Sequence, residues 1–248
     1  MSLAKYEISV ITCSINIDKA LAKTLDSIHS QIGISFENIV VVSSEAKNFS
    51  EIDLSDSRLI IQRPQGIYNA MNVGLKSAHG RFCLFLNASD TFTSSHSLAK
   101  LFNALGKHKW GYGGINKVSP FDNSTTPYHF KPYFRLLHTL GLKYVPHPSC
   151  LLETEVARAF GGFDEKYHVA ADQKLLLQFS NKYKPAITEE LVVNFVLGGA
   201  SSNRNQQSLV NDFRQIYDDL HGEKKTRRVI YFPLWTLASL LRLAHRSK

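Results

Sequence analysis

The sequence predicts an α/β fold with a mostly parallel central sheet and flanking helices, and three observations support this. The chain has 248 residues, of which 44% are hydrophobic, so it can build a sizeable core. Short runs at residues 8–12, 38–43, 58–62 and 81–86 predict strands, and the continuous apolar run at 38–43 is typical of a strand buried on both faces. Segments with helical spacing separate them, which is typical of a parallel sheet.

The first half of the chain can be divided in order. After the strand at 8–12, residues 18–31 place apolar side chains at helical spacing and Gly33 follows as a stop signal. The strands at 38–43 and 58–62 come next. Residues 69–78 predict a second helix ended by Gly80, and the strand at 81–86 leads directly into residues 87–90.

The second half is less regular. We expect helices at 96–107, 153–160 and 172–179 and strands at 110–115 and 190–197. Residues 120–132 contain three prolines and are predicted to form a loop. Residues 1–223 form one predicted domain, because no linker divides them, and residues 224–248 form a separate tail.

Composition and charge exclude several classes. The composition is not that of a disordered chain, a coiled coil or a disulfide-stapled miniprotein. Cys13, Cys83 and Cys150 lie far apart, which favours buried free thiols and a reducing compartment. Of the net charge of +8, seven positive charges belong to the tail. The nearly neutral body argues against nucleic acid as a partner.

Polar residues follow the strands at their carboxyl ends, where open α/β sheets bind ligands. They are Thr12 to Ser14, Ser43 to Glu45 and Asn87 to Asp90. Asp90 is either a turn residue bonded to its own backbone or a ligand for a hard cation that holds a diphosphate.

Other candidates also have two interpretations. Asp172 precedes an amphipathic helix, so it is an N-cap, a proton acceptor near pH 7, or both. His147 lies between two prolines and is either structural or catalytic. Tyr68 and Asn72 could simply pack and cap a helix. Residues 198–201 could cradle a phosphate or end a strand.

Residues 66–90, GIYNAMNVGLKSAHGRFCLFLNASD, resemble the D-x-G-x-Y-D-A-M-N-x-G … F-L-N-x-x-D stretch of glycosyltransferase family 2. The likeness extends over about residues 6–210, through the G-G-F-D-E-x-Y segment within 147–178 and the G-G-x-S at 198–201. It is strongest with the colanic-acid and O-antigen subgroup, which builds bacterial surface polysaccharides.

This resemblance implies a GT-A fold and transfer of a sugar, with inversion, from a nucleoside-diphosphate sugar to a glycan or polyprenyl-linked acceptor. Asp90 would bind Mn²⁺ or Mg²⁺, and Asp172 would be the catalytic base. His147, Gly199 and Ser201 would lie near the acceptor or the diphosphate. The residues expected to contact the donor are Thr12, Ser14, Ser43, Arg63, Gly66, Tyr68, Asn69, Asn72, Asn87 and Ser89.

The chain also departs from the family pattern. The second strand ends at Val42 and Ser43 without the family's aspartate, and Pro64 and Asn69 occupy two further acidic positions. Arg63 adds a cation beside one of these gaps. The departures favour altered donor recognition and leave a second hypothesis, a non-catalytic GT-A module that binds a sugar nucleotide or a partner enzyme.

The tail, residues 224–248, places basic clusters on both sides of an apolar, aromatic segment. This pattern is typical of a segment lying in an anionic membrane interface, although a C-terminal helix packed on the body fits it too. The N-terminus has no apolar signal-peptide region. We therefore expect a cytoplasmic protein held peripherally at the inner face of a bacterial plasma membrane.

Overall fold

The computed structural model describes residues 5–47, 52–167, 169–198 and 206–222. Its helices are α1 (Lys19–His29), α2 (Ile67–Ser77), α3 (Ser97–Leu105), α4 (Arg135–Thr139), α5 (Thr154–Ala159), α6 (Ala171–Lys182) and α7 (Gln206–His221). Its strands are β1 (Tyr6–Ser14), β2 (Phe36–Ser43), β3 (Arg58–Gln62), β4 (Gly80–Phe85), β5 (Thr91–Phe92), β6 (Trp110–Val118), β7 (Thr125–Tyr128), β8 (Cys150–Glu153) and β9 (Ala186–Val196).

The first half forms the parallel part of the sheet. The strand order is β3-β2-β1-β4-β8-β6-β9-β5, with β7 paired to β6. The pairs β1–β2, β1–β4 and β2–β3 are all parallel. Asp18 caps α1, since its Oδ1 accepts the backbone N–H groups of Ala20 and Leu21 at 3.0 and 3.1 Å. The predicted strands and helices of this half are confirmed.

The second half is mixed. Strand β8 joins β4 to β6 by antiparallel pairing on both sides, whereas β9 runs parallel to β6 and antiparallel to β5. The predicted strands and helices are present, with β9 beginning at Ala186 rather than at residue 190. The sequence analysis did not identify β8, α4 or α7.

The loop predicted at residues 120–132 is wrong in part, because β7 lies inside it. Pro127 sits within β7 opposite Asn116 of β6. A proline has no N–H to donate, but among the described strands β7 pairs only with β6, so the edge position tolerates it. Pro127 therefore lies in a strand at the sheet edge, whereas Pro120 and Pro132 lie outside β7.

Helices cover both faces of the sheet. Leu21, Leu25 and Ile28 of α1 pack with α3 over one face, while α2, α5 and α6 cover the other. Gly74 of α2 allows close approach, since a Cβ there would lie 2.4 Å from the Cγ2 of Ile11. The result is a three-layer α/β/α body with an apolar core on each side of the sheet.

The three cysteines are free and buried, as predicted. Burial raises the pKa of the Cys13 and Cys83 thiols to about 12, so both remain protonated. Among the described helices, none combines the length and apolarity needed to cross a bilayer. The tail at 224–248, its proposed membrane role and its boundary with the body lie outside the described residues.

Candidate active site

The carboxyl ends of β1 and β4 lie side by side and form one wall of the candidate site. Past the end of β4, the N–H of Leu86 donates to the carbonyl oxygen of Ile11 at 3.0 Å, and that of Ala88 to Cys13 at 3.4 Å. This pairing places Asn87 beside Thr12. Within the described chain, Thr12 Oγ1 and Asn87 Oδ1 are buried and have no hydrogen-bond partner.

Such orphaned atoms are costly unless a ligand or water satisfies them. They occur at two residues that the sequence assigned to the donor. Ser14 and Ser43, in contrast, bond locally: the Ser14 hydroxyl donates to the carbonyl oxygen of Asn16 at 2.7 Å, and the Ser43 hydroxyl accepts the N–H of Glu45 at 3.1 Å. Their contact with a donor stays a prediction.

Asp90 is 5% exposed and lies where the chain turns from β4 into β5. Its Oδ1 accepts the backbone N–H of Val196 at 3.0 Å, and its carbonyl oxygen accepts the hydroxyl of Thr24 at 2.8 Å. The preceding Ser89 has a φ of 87°, and its N–H donates to the Thr24 hydroxyl at 3.0 Å. Thr24 thus holds the turn that presents the Asp90 carboxylate.

The buried Asp90 carboxylate is better suited to binding a divalent cation than to remaining an unpaired charge. Burial raises its pKa to about 7, and the single hydrogen bond from Val196 only partly offsets this. A cation would restore the charged form. Among the described residues no group of three or more His, Cys, Asp or Glu side chains forms a complete metal cage. One carboxylate with phosphate oxygens and waters is, however, a common Mg²⁺ arrangement.

Asp172 is not the N-cap of its helix, which corrects one of the two roles expected for it. The N-cap of α6 is Ala170, without a side-chain capping bond, and Asp172 lies in the first turn. Its carboxylate is held by side chains instead. Tyr68 donates to Oδ1 at 3.1 Å, and Gln173 Nε2 donates to Oδ2 at 2.8 Å. The Tyr68 hydroxyl also contacts the carbonyl oxygen of Val169.

His147 lies in a 3₁₀ turn, His147–Ser149, that is packed against β4. Its ring stacks on Phe85 with centroids 5.6 Å apart and meets the Phe163 ring edge-on at 5.6 Å. Burial lowers the His147 pKa, and the negative charge of Asp172 opposes this shift. The imidazole is therefore neutral at pH 7 and lies within the field of Asp172. In the part of the chain described, its buried Nε2 has no partner.

Residues 66–72 lead into α2 and bring the Tyr68 hydroxyl to the Asp172 carboxylate. Gly66, with a φ of 95°, precedes α2 in a conformation that favours glycine. The amide of Asn72 clamps Phe163, accepting its N–H at 2.8 Å and donating to its carbonyl oxygen at 2.9 Å. Asn69 Nδ2 donates to both oxygens of Glu165, at 3.2 and 3.1 Å.

These contacts give Asn69 and Asn72 structural roles, and their predicted donor contacts remain predictions. Arg63 follows β3 on the exposed surface. Glu165 was not identified from the sequence. It places a carboxylate against Asn69, at a position where the family pattern has the acid itself. Gly199 and Ser201 lie outside the described residues.

A cavity of about 750 Å³ lies on the far side of Asn72, between α2, α5 and α6, and includes neither Asp90 nor Asp172. Arg158, one of its cations, uses its guanidinium on the backbone carbonyl oxygens of Leu75 and Ala78, at 2.8 and 2.5 Å from Nη2. Arg158 thus caps the C-terminal end of α2, and the cavity is distinct from the candidate site because neither Asp90 nor Asp172 lines it.

The class of protein follows from a comparison with known protein families. Residues 9–150 match the Glycosyl transferase family 2 model. This chain therefore belongs to glycosyl transferase family 2, and the resemblance seen in residues 66–90 is confirmed.

Two relatives extend the comparison. The chain is 29% identical over 184 residues to a PGL/p-HBAD biosynthesis glycosyltransferase of Mycobacterium bovis, covering 70% of each chain. It is 25% identical over 225 residues to the minor teichoic acid biosynthesis protein GgaB of Bacillus subtilis, covering 83% of this chain and 25% of GgaB. Relatives of this chain thus act in the biosynthesis of cell-surface glycans.

Two solved structures share the fold. S. aureus TarS 1-349 in complex with UDP-GlcNAc has a TM-score of 0.59 at 17% identity, over 94% of this chain and 79% of that one. The mannosyltransferase PcManGT from Pyrobaculum calidifontis, in complex with GDP-Man and Mn²⁺, has a TM-score of 0.57 at 16% identity, over 79% and 59%. The predicted GT-A fold is confirmed.

Proposed function

We propose that this chain transfers a sugar, with inversion, from a nucleoside-diphosphate sugar to a hydroxyl of a cell-surface glycan or its lipid-linked precursor. The observation that carries the proposal is the Asp172 carboxylate, which accepts hydrogen bonds from Tyr68 and Gln173 rather than capping its own helix. Membership of the family and the biosynthetic relatives support glycosyl transfer.

In this mechanism Asp172 accepts the proton of the acceptor hydroxyl as that oxygen attacks the anomeric carbon. The nucleoside diphosphate leaves from the opposite face, which inverts the configuration. Gln173 donates to Oδ2, and Tyr68 shares its single proton between Oδ1 and the carbonyl oxygen of Val169, so the carboxylate is held in orientation and keeps lone pairs for the incoming proton. The neutral His147 would use its buried Nε2, which has no partner among the described residues, to bond the acceptor or the departing diphosphate.

The donor would lie along the carboxyl ends of β1 and β4, where Thr12 and Asn87 have unsatisfied polar atoms. Asp90 would hold a divalent cation, which would neutralise negative charge on the diphosphate. The structures with UDP-GlcNAc and with GDP-Man and Mn²⁺ support a nucleotide-sugar donor and a cation of this kind. They leave both uridine and guanosine as candidates.

The test is isothermal calorimetry of the full chain against UDP, GDP and CMP, each with and without Mn²⁺, for the wild type and Asp90→Ala. We expect one nucleotide to bind, to need Mn²⁺, and to lose at least about tenfold in affinity in the variant. If a well-folded protein binds none of the three, the donor site is not as proposed.

The second hypothesis, a non-catalytic module, is favoured by the missing acids at Val42, Pro64 and Asn69. It predicts nucleotide binding without turnover. Nucleotide release from UDP-GlcNAc and GDP-mannose, followed for the wild type and Asp172→Asn, separates the two. Turnover in the wild type that is lost in the variant rejects the module, whereas no turnover with tight binding favours it.

We further propose that residues 224–248 bring the enzyme to an anionic membrane surface. Seven basic residues near such a surface would contribute roughly 1 kcal/mol each. Sedimentation of the full chain with phosphatidylglycerol vesicles is expected, and phosphatidylcholine vesicles are the control. Cosedimentation that ignores lipid charge and salt would contradict the electrostatic part of the proposal.

A further inference from the structure

A buried chain of hydrogen bonds leads away from the Asp172 carboxylate into the core. Gln173 Nε2 donates to Asp172 Oδ2 at 2.8 Å and to the carbonyl oxygen of Val145 at 3.2 Å. Gln173 Oε1 lies 2.9 Å from His138 Nε2, and His138 Nδ1 lies 2.9 Å from the Tyr133 hydroxyl. We call Tyr133, His138 and Gln173 the carboxylate relay.

Chemistry fixes the direction of every bond in the carboxylate relay. The Gln173 amide faces two acceptors, the Val145 carbonyl and the Asp172 carboxylate, so its NH₂ group must point there. Its oxygen then faces His138, whose Nε2 must carry a proton to donate. In a neutral imidazole Nδ1 is consequently an acceptor and takes the proton of the Tyr133 hydroxyl.

The protonation states agree with this direction. His138 is 0% exposed, and burial lowers its pKa to about 4, so the ring is neutral at physiological pH. Burial raises the pKa of Tyr133 to about 12, so the hydroxyl keeps its proton. The rings of Phe130 and Tyr133 meet the His138 ring edge-on, at 6.4 and 5.8 Å, and enclose it.

The carboxylate relay joins segments that are far apart in sequence. Tyr133 and His138 belong to the segment around α4, whereas Gln173 follows Asp172 in the first turn of α6. A single carboxylate at a helix terminus would be free to rotate. Here Asp172 Oδ2 accepts a hydrogen bond from Gln173, and the neutral imidazole of His138 sets the position of the Gln173 amide.

We infer that Tyr133, His138 and Gln173 are positioning residues that hold the Asp172 carboxylate in the orientation needed to accept the acceptor proton. The inference rests on the proposed function, in which Asp172 is the base. It assigns roles to three residues that are not themselves expected to touch the substrate.

The first experiment measures nucleotide release from UDP-GlcNAc and GDP-mannose, with Mn²⁺ and with water as acceptor, using the full chain. We expect Asp172→Asn to lower kcat at least about 100-fold. We expect His138→Phe to lower kcat about tenfold with the KM for the donor within about twofold. His138→Gln can still donate to Gln173, so it should recover most of that loss.

Tyr133→Phe and Tyr128→Phe form the matched pair. Each removes a tyrosine hydroxyl from the same part of the fold, but the Tyr128 hydroxyl donates to the carbonyl oxygen of Tyr144 and has no bond to the relay. Only Tyr133→Phe should lower kcat, by about threefold. Equal effects of the two variants, or of His138→Phe and His138→Gln, would overturn the inference. Full activity of Asp172→Asn would instead overturn the proposed function.

Two further measurements need no turnover. Nitrogen NMR of the His138 ring should show the Nε2–H tautomer from pH 5 to 8 in the wild type and a mixture in Tyr133→Phe. A crystal structure of His138→Phe should show the Gln173 amide and the Asp172 carboxylate rotated from their wild-type positions. An Nδ1–H tautomer in the wild type, or an unmoved carboxylate in the variant, would reject the carboxylate relay.

Discussion

The parallel half of the sheet and the mixed half organise their functional residues by different means. Thr12 lies near the end of β1 and Asn87 just past the end of β4, so the backbone pairing of two central strands places them, and the Thr24 hydroxyl holds the turn at Asp90. Asp172 and His147 lie on a helix and a short turn, and side-chain contacts between distant segments orient them. The proposed donor side is therefore set mainly by main-chain geometry, and the proposed acceptor side by side-chain packing.

This difference has a consequence for mutation. A site built by backbone pairing tolerates loss of a single side chain in its surroundings, whereas a site built by side chains depends on each of them. The predictions below test the contrast, beginning with the largest expected effect.

The acceptor side should show the largest effect in catalysis. Asp172→Asn keeps the size of the side chain but cannot accept the acceptor proton, so kcat should fall by about 10²- to 10⁴-fold. Release of nucleotide from a sugar-nucleotide donor measures this. The control is Asp26→Asn, an exposed position on α1. Similar rates for the wild type and Asp172→Asn would show that Asp172 is not the catalytic base.

On the proposed donor side, Asp90 should make the free energy of unfolding depend on pH. Because the pKa of Asp90 is raised to about 7, the folded state prefers the protonated form and loses stability as pH rises from about 4 to 7. The loss has a ceiling of about 4 kcal/mol. Urea unfolding at pH 5 and pH 8, without divalent cations, measures it.

Asp90→Asn should flatten this part of the pH profile, since an amide does not titrate. Mn²⁺ should stabilise the wild type more at pH 8 than at pH 5, because the cation binds the ionised carboxylate. A wild-type protein that is more stable at pH 8 than at pH 5, with the difference absent in Asp90→Asn, would contradict the expected sign.

The close approach of α2 to the sheet is a third point of comparison, because it supports both sides. Gly74→Ala places a Cβ against Ile11 and should cost about 1–3 kcal/mol of unfolding free energy. Chemical denaturation measures it, with Ala70→Gly in the same helix as a control for helix propensity. Combining Gly74→Ala with Ile11→Val should recover part of the loss if this contact causes it.

The smallest effect is expected at the contact between Asn69 and Glu165. Asn69→Asp replaces a donor to Glu165 with a like charge and should cost about 1 kcal/mol. The loss should shrink when Glu165→Gln is added, because the pair can then hydrogen-bond again. A double-mutant cycle of unfolding free energies measures the coupling, and additive effects would show that the contact is unimportant.

The sequence was informative wherever function follows a strand. The apolar runs fixed where β1, β2 and β4 end, and those ends identify Thr12, Ser43 and Asn87 to Asp90 as candidates. The sequence was uninformative for β8, because this strand has only four residues and shows no alternation of apolar and polar side chains. Its identity as a strand arises only from pairing with β4 and β6 on either side.

The same limit applies to the active site. Asp172 stood out because a carboxylate before an amphipathic helix and a family motif coincide there. Tyr133, His138 and Gln173 belong to no motif in the sequence. Their separation along the chain gives no indication that their side chains form hydrogen bonds with one another. Glu165 likewise acquires a role only because α2 brings Asn69 to it.

By itself, then, the amino-acid sequence determined the α/β class and the family, and it predicted the strand ends near Thr12 and Asn87 and the two candidate carboxylates, Asp90 and Asp172. Local periodicity and short motifs encode all of these. The tertiary structure alone decided that Asp172 does not cap α6, that Asp90 is buried, and that a tyrosine, a histidine and a glutamine form a hydrogen-bonded chain leading to the Asp172 carboxylate. Those facts depend on contacts between segments up to about a hundred residues apart, which local sequence patterns do not encode.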